Sequence, residues 1–440
     1  MLVTIEKVIP GGIGLARTEE HGALFVPYSL PGMEVEVKIV RPGKNFSWAQ
    51  IVKVTKEAPG QVPAPCPFFG QCGGCAIQNA SYEKQLEIKR EIVADALRRV
   101  GKLEIEPLAP LPSPLSLGYR NKVDFSFKGK EIGFRPRESF DETLKIENCL
   151  LFDERHEKVL AGIRKLLGSK ELQDEAKPDF LQYLTIRKSF ADDNFLVILV
   201  TQAGEINRTA WLKAVQESFG ESLAGFLWKR NLSKQEKKNE QDLIILSGQD
   251  YLHEKIGDLD FKVSAFSFFQ TNSLGAKVLY DQVQEFADLK GTETVLDLYC
   301  GTGTIGQYLA AKAKEVIGIE INAQAIEDAR ENAALNNLKN CTYYAGAVKD
   351  VTLEHRDELA ETEVIIIDPP RAGLDKKMRQ RLCKFPNLKK LIYVSCDPVT
   401  LARDLMILQT YSFEIVKVQP VDMFPHTAHI ENVTLLVKSG

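Results

Sequence analysis

The chain has 440 residues, is 44% apolar and 26% charged, and sets 56 Lys and Arg against 60 Asp and Glu for a net charge of −4. At ordinary domain size that length makes two or three units, and the slight acidity excludes a chain that binds polyanions over its whole surface, so any nucleic-acid face is a local patch. MLVTIEKVIPGG lacks a basic start followed by an apolar core, and no run of about 18 apolar residues occurs. The expectation is a cytoplasmic protein without membrane contact, and no protein partner is implied.

Residues 1–55 read as the short strands LVTIEKVI, GGIGLAR, GALFVP, MEVEVKIVR and SWAQIVKV, with turn signals at Pro10-Gly11-Gly12, Pro31-Gly32 and Pro42-Gly43. Their even spacing fits a five-strand barrel of the OB kind. EAPGQVPAPCP, rich in proline and therefore stiff, reads as a linker. CPFFGQCGGC then places Cys66, Cys72 and Cys75 within ten residues of a chain holding eight cysteines. In a reducing compartment such clusters are metal ligands or catalytic groups more often than disulfides. Of the other five, Cys300, Cys341, Cys383 and Cys396 fall in the C-terminal stretch, which leaves Cys149 as the fourth candidate ligand. Four thiolates suit zinc or an iron–sulfur cluster equally by count, although zinc more often uses two C-x-x-C pairs and one is present here.

Residues 66–265 read as a central mixed α/β domain. SYEKQLEIKREIVADALRRV is an amphipathic helix with Ser81 as N-cap and an apolar face of Leu86, Ile88, Ile92, Val93, Leu97 and Val100. Strand-like segments follow, among them KVDFSFK, FLQYLTIRK, NFLVILVTQ and GFLWKRN. Between Gly118 and Arg137, six basic residues (Arg120, Lys122, Lys128, Lys130, Arg135, Arg137) interleave with Tyr119, Phe125, Phe127 and Phe134. Such a pattern offers phosphate contacts and base stacking, although strand alternation sends some of these rings to the core.

Residues 266–440 alternate the apolar strands TVLDLYC, EVIGIEI, CTYYAG, VIIIDPP and KLIYVSC with helical segments, the sequence form of a Rossmann-like doubly wound sheet. In VLDLYCGTGTIG, Gly301, Gly303 and Gly306 satisfy G-x-G-x-x-G, and Glu320 ends the next strand. That serves any adenosine-bearing ligand, NAD included. The fourth strand ends in Asp368-Pro369-Pro370-Arg371 and the fifth in Ser395-Cys396-Asp397-Pro398. A cysteine at a strand end is either a small buried hydrophobe or a nucleophile.

With Asp297 ahead of the glycines, D-x-x-C-G-x-G resembles motif I of the S-adenosylmethionine-dependent methyltransferases. Gln270 in FSFFQTN, VLDLYCGTGTIG, DPPRAGLD, YVSCDPVTLARD and HIENVTLL together resemble, in order and spacing, the uracil-5 RNA methyltransferases over nearly the whole chain, with residues 1 to about 55 similar to the RNA-binding TRAM domain. The resemblance implies that Gln270, Tyr299, Glu320 and Asp368 contact S-adenosyl-L-methionine, that Cys396 is the nucleophile and that Glu431 is the base. It implies a 4Fe-4S cluster on Cys66, Cys72, Cys75 and Cys149, structural in role, with redox sensing as the alternative. It points to RNA as the partner, 23S ribosomal RNA ahead of a tRNA T-loop. A different class, an inert RNA-binding or iron–sulfur sensor protein, is disfavoured by intact Cys396, Glu431 and Asp368.

Overall fold

A computed structural model of the chain describes residues 1–137, 139, 142–172, 179–233 and 242–438. They form two compact units, one of residues 1–65, 75–114 and 274–440, the other of 66–74 and 115–273.

The first unit opens with six strands, β1 (Leu2–Thr4), β2 (Lys7–Ile9), β3 (Ile13–Thr18), β4 (Gly22–Pro27), β5 (Glu34–Arg41) and β6 (Phe46–Lys56), in the order β1-β5-β6-β4-β3-β2. LVTIEKVI is two strands because the chain changes partner within it: Ile5 N–H bonds to the Met33 carbonyl and Glu6 N–H to that of Leu15. Helix α1 (Tyr82–Arg99) begins at Ser81, whose hydroxyl accepts the Lys84 N–H. Its Ile88 and Ile92 complete the barrel core, whereas Val93, Ala96 and Leu97 enter the core of the C-terminal sheet. This helix was expected in the central domain; its two apolar flanks place it instead between barrel and C-terminal sheet.

The second unit is a sheet of β7 (Lys122–Lys128), β8 (Glu131–Gly133), β9 (Leu181–Lys188), β10 (Phe195–Gln202), β11 (Leu223–Asn231) and β12 (Leu243–Gly248), ordered β12-β11-β10-β9-β7-β8. Helices α2 (His156–Leu167) and α3 (Arg208–Phe219) pack on it around Trp211, Phe226 and Trp228. The hairpin β13 (Tyr251–Ile256) and β14 (Leu259–Ser264) completes it.

From α4 (Ser273–Ala287) the chain returns to the first unit and builds a seven-stranded sheet. Its elements are β15 (Thr294–Leu298), α5 (Thr304–Ala310), β16 (Glu315–Glu320), α6 (Ala323–Leu335), β17 (Cys341–Ala345), α7 (Val348–Glu354), β18 (Thr362–Ile367), α8 (Lys376–Leu382), β19 (Lys390–Ser395), α9 (Pro398–Gln409), β20 (Phe413–Val421) and β21 (Glu431–Lys438). The order is β17-β16-β15-β18-β19-β21-β20, with β15 to β19 parallel and β21 antiparallel to both neighbours. The order reverses between β15 and β18, so the carboxyl ends of these strands frame the crevice in which doubly wound sheets bind ligands.

Candidate active site

The antiparallel register of β19 on β21 ends with Ser395 opposite Asn432. Cys396 directly follows the first and Glu431 directly precedes the second, so adjacent strand ends carry the thiol and the carboxyl. The Asn432 side-chain amide donates to the Ser395 carbonyl at 3.3 Å and pins the two ends. Asp397 is spent on capping: its carboxylate accepts the Val399 and Thr400 N–H groups at 2.9 Å each, starting α9. A nearby alternative to Glu431 as a base is thereby already committed.

Glu431 is buried, and burial, reinforced by the Asp368 charge and opposed by Arg371, pushes its carboxyl up to about 8. Burial pushes the Cys396 thiol up to about 11, with Glu431 and Asp368 raising it and Arg371 lowering it. Asp368, at the end of β18, is pushed by burial to about 7. These four residues therefore act on one another within one acidic site whose only opposing charge in that set is Arg371.

Beside them, the end of β15 turns through three left-handed residues, Tyr299 (φ 63°), Gly301 (55°) and Gly303 (73°). For tyrosine this conformation is a strain, of the kind that clusters at ligand sites. A Cβ on Gly303 would stand 2.9 Å from the Tyr343 ring, so glycine is required there. Asp297, buried beneath this turn, accepts the Gly306 N–H at 2.9 Å and is pushed to about 7 by burial, with Asp368 and Glu320 adding to the rise. Its other oxygen has no hydrogen-bond partner. The Glu320 carboxylate, at the end of β16, accepts the N–H groups of Gly301 (3.3 Å) and Asn322 (2.9 Å). Open backbone, an unsatisfied buried carboxylate oxygen and a carboxylate at the second strand end fit a ligand with a ribose and a positive charge.

Tyr299, Glu320, Asp368, Cys396 and Glu431 thus share one sheet edge. Gln270 belongs to the second unit, where its carbonyl accepts the Asn121 side-chain amide at 2.8 Å; Asn121 also reaches the Ser273 hydroxyl, which bonds to buried Glu254. Sequence reasoning missed Asp404, fully buried on α9. It accepts from the Leu374 N–H, Arg379 and the Tyr393 hydroxyl at 2.7, 2.7 and 2.9 Å, and Arg403 donates to the Ala372 carbonyl at 2.8 Å. Together they fix the loop after Asp368. An aspartate inside a helical pattern reads as solvated surface; the signal that could have found this one is its place as the last residue of the run YVSCDPVTLARD.

The basic stretch needs correcting. Tyr119, Phe125 and Phe127 are buried, and Phe134 stacks on Phe125 with centroids 4.8 Å apart. These rings build the core of the second unit and do not offer a stacking surface. Among the described residues the exposed aromatics of that unit are Tyr183, Phe266 and Phe268, which are 39%, 53% and 70% exposed.

Cys66, Cys72 and Cys149 belong to the second unit, and Cys75 to a stretch of the first. All four are half-buried. Burial pushes Cys149 to about 11 and Cys72 upward, and the other thiols of the trio add to each rise, Cys66 for both and Cys72 for Cys149. Among the described residues no group of three or more His, Cys, Asp or Glu side chains is arranged to hold a metal ion. Also among them, no helix is long and apolar enough to cross a membrane.

Residues 232–439 match the family model for tRNA (uracil-5-)-methyltransferase, and residues 1–52 match the TRAM domain. The chain is 38% identical to an uncharacterized RNA methyltransferase of Caldanaerobacter subterraneus subsp. tengcongensis, over 99% of this chain and 98% of that one. It is 35% identical to another of Halalkalibacterium halodurans, over 99% and 96%. Among solved structures it resembles the Pyrococcus abyssi tRNA (uracil-54, C5)-methyltransferase in complex with S-adenosyl-L-homocysteine, with TM-score 0.77, 29% identity, and coverage of 99% of this chain and 100% of that one. The sheet, its edge site and these likenesses define an S-adenosylmethionine-dependent RNA methyltransferase. The chain belongs to the uracil-5 RNA methyltransferase family, with a TRAM domain at its N-terminal end.

Proposed function

We propose that this chain works in the cytoplasm and methylates C5 of a specific uridine in 23S ribosomal RNA, with Cys396 as nucleophile and Glu431 as base. The observation that carries this is the register of β19 on β21, which sets a thiol and a buried carboxyl on neighbouring strand ends. C5 of uracil is too weak a nucleophile to take a methyl group unaided. Addition of the Cys396 thiolate to C6 makes C5 enolate-like. S-adenosyl-L-methionine supplies the methyl group that C5 then attacks. Glu431 takes the C5 proton, the ring double bond re-forms and the bond from C6 to sulfur breaks, which returns the thiolate. Tyr299, Glu320 and Asp368 form the donor side on the edge of the sheet, and we assign Gln270 to the donor as well.

The test is Glu431→Gln. Addition and methyl transfer should proceed and elimination should stall, so denaturing electrophoresis with methyl-labelled donor should show a protein–RNA adduct. Normal turnover, or an inactive variant that binds RNA and donor without forming labelled adduct, would place the base elsewhere.

The 4Fe-4S cluster on Cys66, Cys72, Cys75 and Cys149 belongs to the same proposal. The donor set supports it: Cys66 lies close enough to raise the titration of Cys72, and both raise that of Cys149, a cost that bound iron would turn into bonding. The sulfurs that grip the corners of an iron–sulfur cube also lie farther apart than those around one ion. A tRNA uridine is the second reading, favoured by the likeness to the Pyrococcus enzyme. Mapping C5-methyluridine in ribosomal and transfer RNA from a strain lacking this chain separates the two.

A further inference from the structure

Glu431 is the first residue of β21, and the loop 422–430 that delivers it from β20 is tied to α1 by the polar side chains of Lys89 and Gln85, with the Tyr82 hydroxyl also on Asp422. Lys89, fully buried, places Nζ 2.5 Å from Asp422 Oδ1 and 2.9 Å from the Phe424 carbonyl. The same Asp422 oxygen accepts the Phe424 N–H at 3.1 Å. One turn earlier on the helix, buried Gln85 accepts the His426 N–H at 2.7 Å, and its amide lies 3.1 Å from His426 Nδ1. The His426 carbonyl in turn accepts the N–H groups of Ala76 and Ile77 at 3.0 and 3.1 Å. His426 itself is held at φ 68°, a left-handed conformation that a non-glycine residue keeps only where its surroundings impose it. The barrel closes the arrangement: at Gly12 (φ 73°) a Cβ would stand 2.4 Å from the Ala76 Cβ and 3.1 Å from that of Ala428, three residues before Glu431.

A buried ion pair is a poor way to glue a helix to a sheet, because desolvation offsets most of its Coulomb energy and apolar residues do as well or better. What it adds is direction. Both Lys89 and Asp422 also bond the main chain of Phe424, and Gln85 bonds that of His426, so the ties specify the path of the loop as well as its attachment. We propose that Lys89 and Gln85 are positioning residues for Glu431: through the loop 422–430 they hold its carboxyl where the C5 proton leaves. This rests on the assignment of Glu431 as the base.

Lys89→Met alone strands the Asp422 carboxylate and can unfold the chain, so the test uses Lys89→Met with Asp422→Leu, which replaces the pair by apolar residues. Gln85→Met, which introduces no buried charge, is made separately. Full-length variants are compared with wild type in thermal midpoint, donor affinity, and single-turnover rates of methyl transfer to RNA and of release of methylated RNA. The expected result is donor affinity within about twofold, methyl transfer slowed less than release, release slowed about tenfold or more, and labelled adduct that accumulates as it does not in wild type. A merely structural role would lower the midpoint and cut both rates together with no adduct, and that result overturns the proposal. If the double variant does not fold, Gln85→Met decides alone by the same criteria. Glu431→Gln run in parallel separates the two assignments. Adduct there with none in the positioning variants defeats the positioning role only, whereas no adduct there defeats the base assignment on which it stands.

Discussion

Glu431 is the carboxyl whose burial has the most readable consequence away from catalysis. It ionises at about 8 in the folded protein, against an ordinary value of 4.5. Between those values the folded state binds a proton that the unfolded chain has lost, so this group's contribution falls as pH rises through that window and is constant on either side. At 1.36 kcal/mol per tenfold in proton affinity, the full span is worth roughly 5 kcal/mol, of which roughly 3 have been lost by about pH 7. Glutamine has nearly the same shape and no proton to lose. Glu431→Gln should therefore gain on wild type as pH rises, whatever fixed offset its buried amide introduces. Scanning calorimetry of ligand-free protein at about pH 5, 7 and 8.5 reads this directly, as a gap in unfolding midpoint between variant and wild type that widens with pH in the variant's favour. A gap that stays constant or narrows would mean that Glu431 is ionised at neutral pH in the folded state, and the electrostatic account of the site would fail with it.

Cys396→Ala should abolish methylation while leaving donor affinity within about twofold, because in the proposed reaction the thiol acts on the base and not on the donor; equilibrium binding and turnover together check it. The charges around Cys396 predict opposite shifts in its alkylation profile with pH: Arg371→Met should move it higher and Glu431→Gln lower, read by mass spectrometry of the Cys396 peptide. Protein purified without oxygen should be brown and hold about four irons, and Cys149→Ser should lose iron as completely as Cys72→Ser. Unchanged iron in Cys149→Ser would remove Cys149 from the ligand set, and colourless protein with stoichiometric zinc would remove the cluster.

Much of the C-terminal sheet was legible because its signals are local. Gly301 and Gly303 mark a turn that requires left-handed backbone, and the apolar runs of β15, β16, β18 and β19 are strands buried over most of their length on both faces, whereas the edge strand β17 is largely open. The places of Asp368 and Cys396 were legible for the same reason, since they sit at strand ends that the pattern locates, whereas Glu431, which opens the last strand, was picked out only by the family resemblance. What stayed hidden is what local pattern cannot carry. Periodicity shows that α1 buries a face but not that it buries two, and Gln85 and Lys89 read as solvated residues although both are buried. Alternation in KVDFSFK likewise cannot say which face meets the core, so the rings of Phe125 and Phe127 looked available for stacking. Asp404 and Asp422 are understood only from partners far along the chain, Arg379 and Tyr393 for one and Lys89 for the other.

The acidity of the site leads to a last prediction. Asp297, Asp368 and Glu431 are held at about 7, 7 and 8, each mainly by burial and two of them partly by Asp368, with Arg371 the one cation that opposes the rise at Glu431. Near neutral pH the ligand-free site therefore keeps protons that such carboxyls ordinarily lose. A sulfonium brought to this edge favours the charged carboxylates and lowers all three values. Binding of S-adenosyl-L-methionine should thus release protons, up to about one per site near pH 7, and ready Glu431 to accept the C5 proton. S-adenosyl-L-homocysteine has almost the same shape but a neutral sulfur, so it should release far fewer. Titration calorimetry of each ligand in buffers of different ionisation enthalpy counts the protons. At about pH 9, where the carboxyls are already ionised, the difference should vanish. Equal proton release by the two ligands near neutral pH would show that the donor's charge does not reach these carboxyls, and Asp368 would then have to be moved from the donor side of the site.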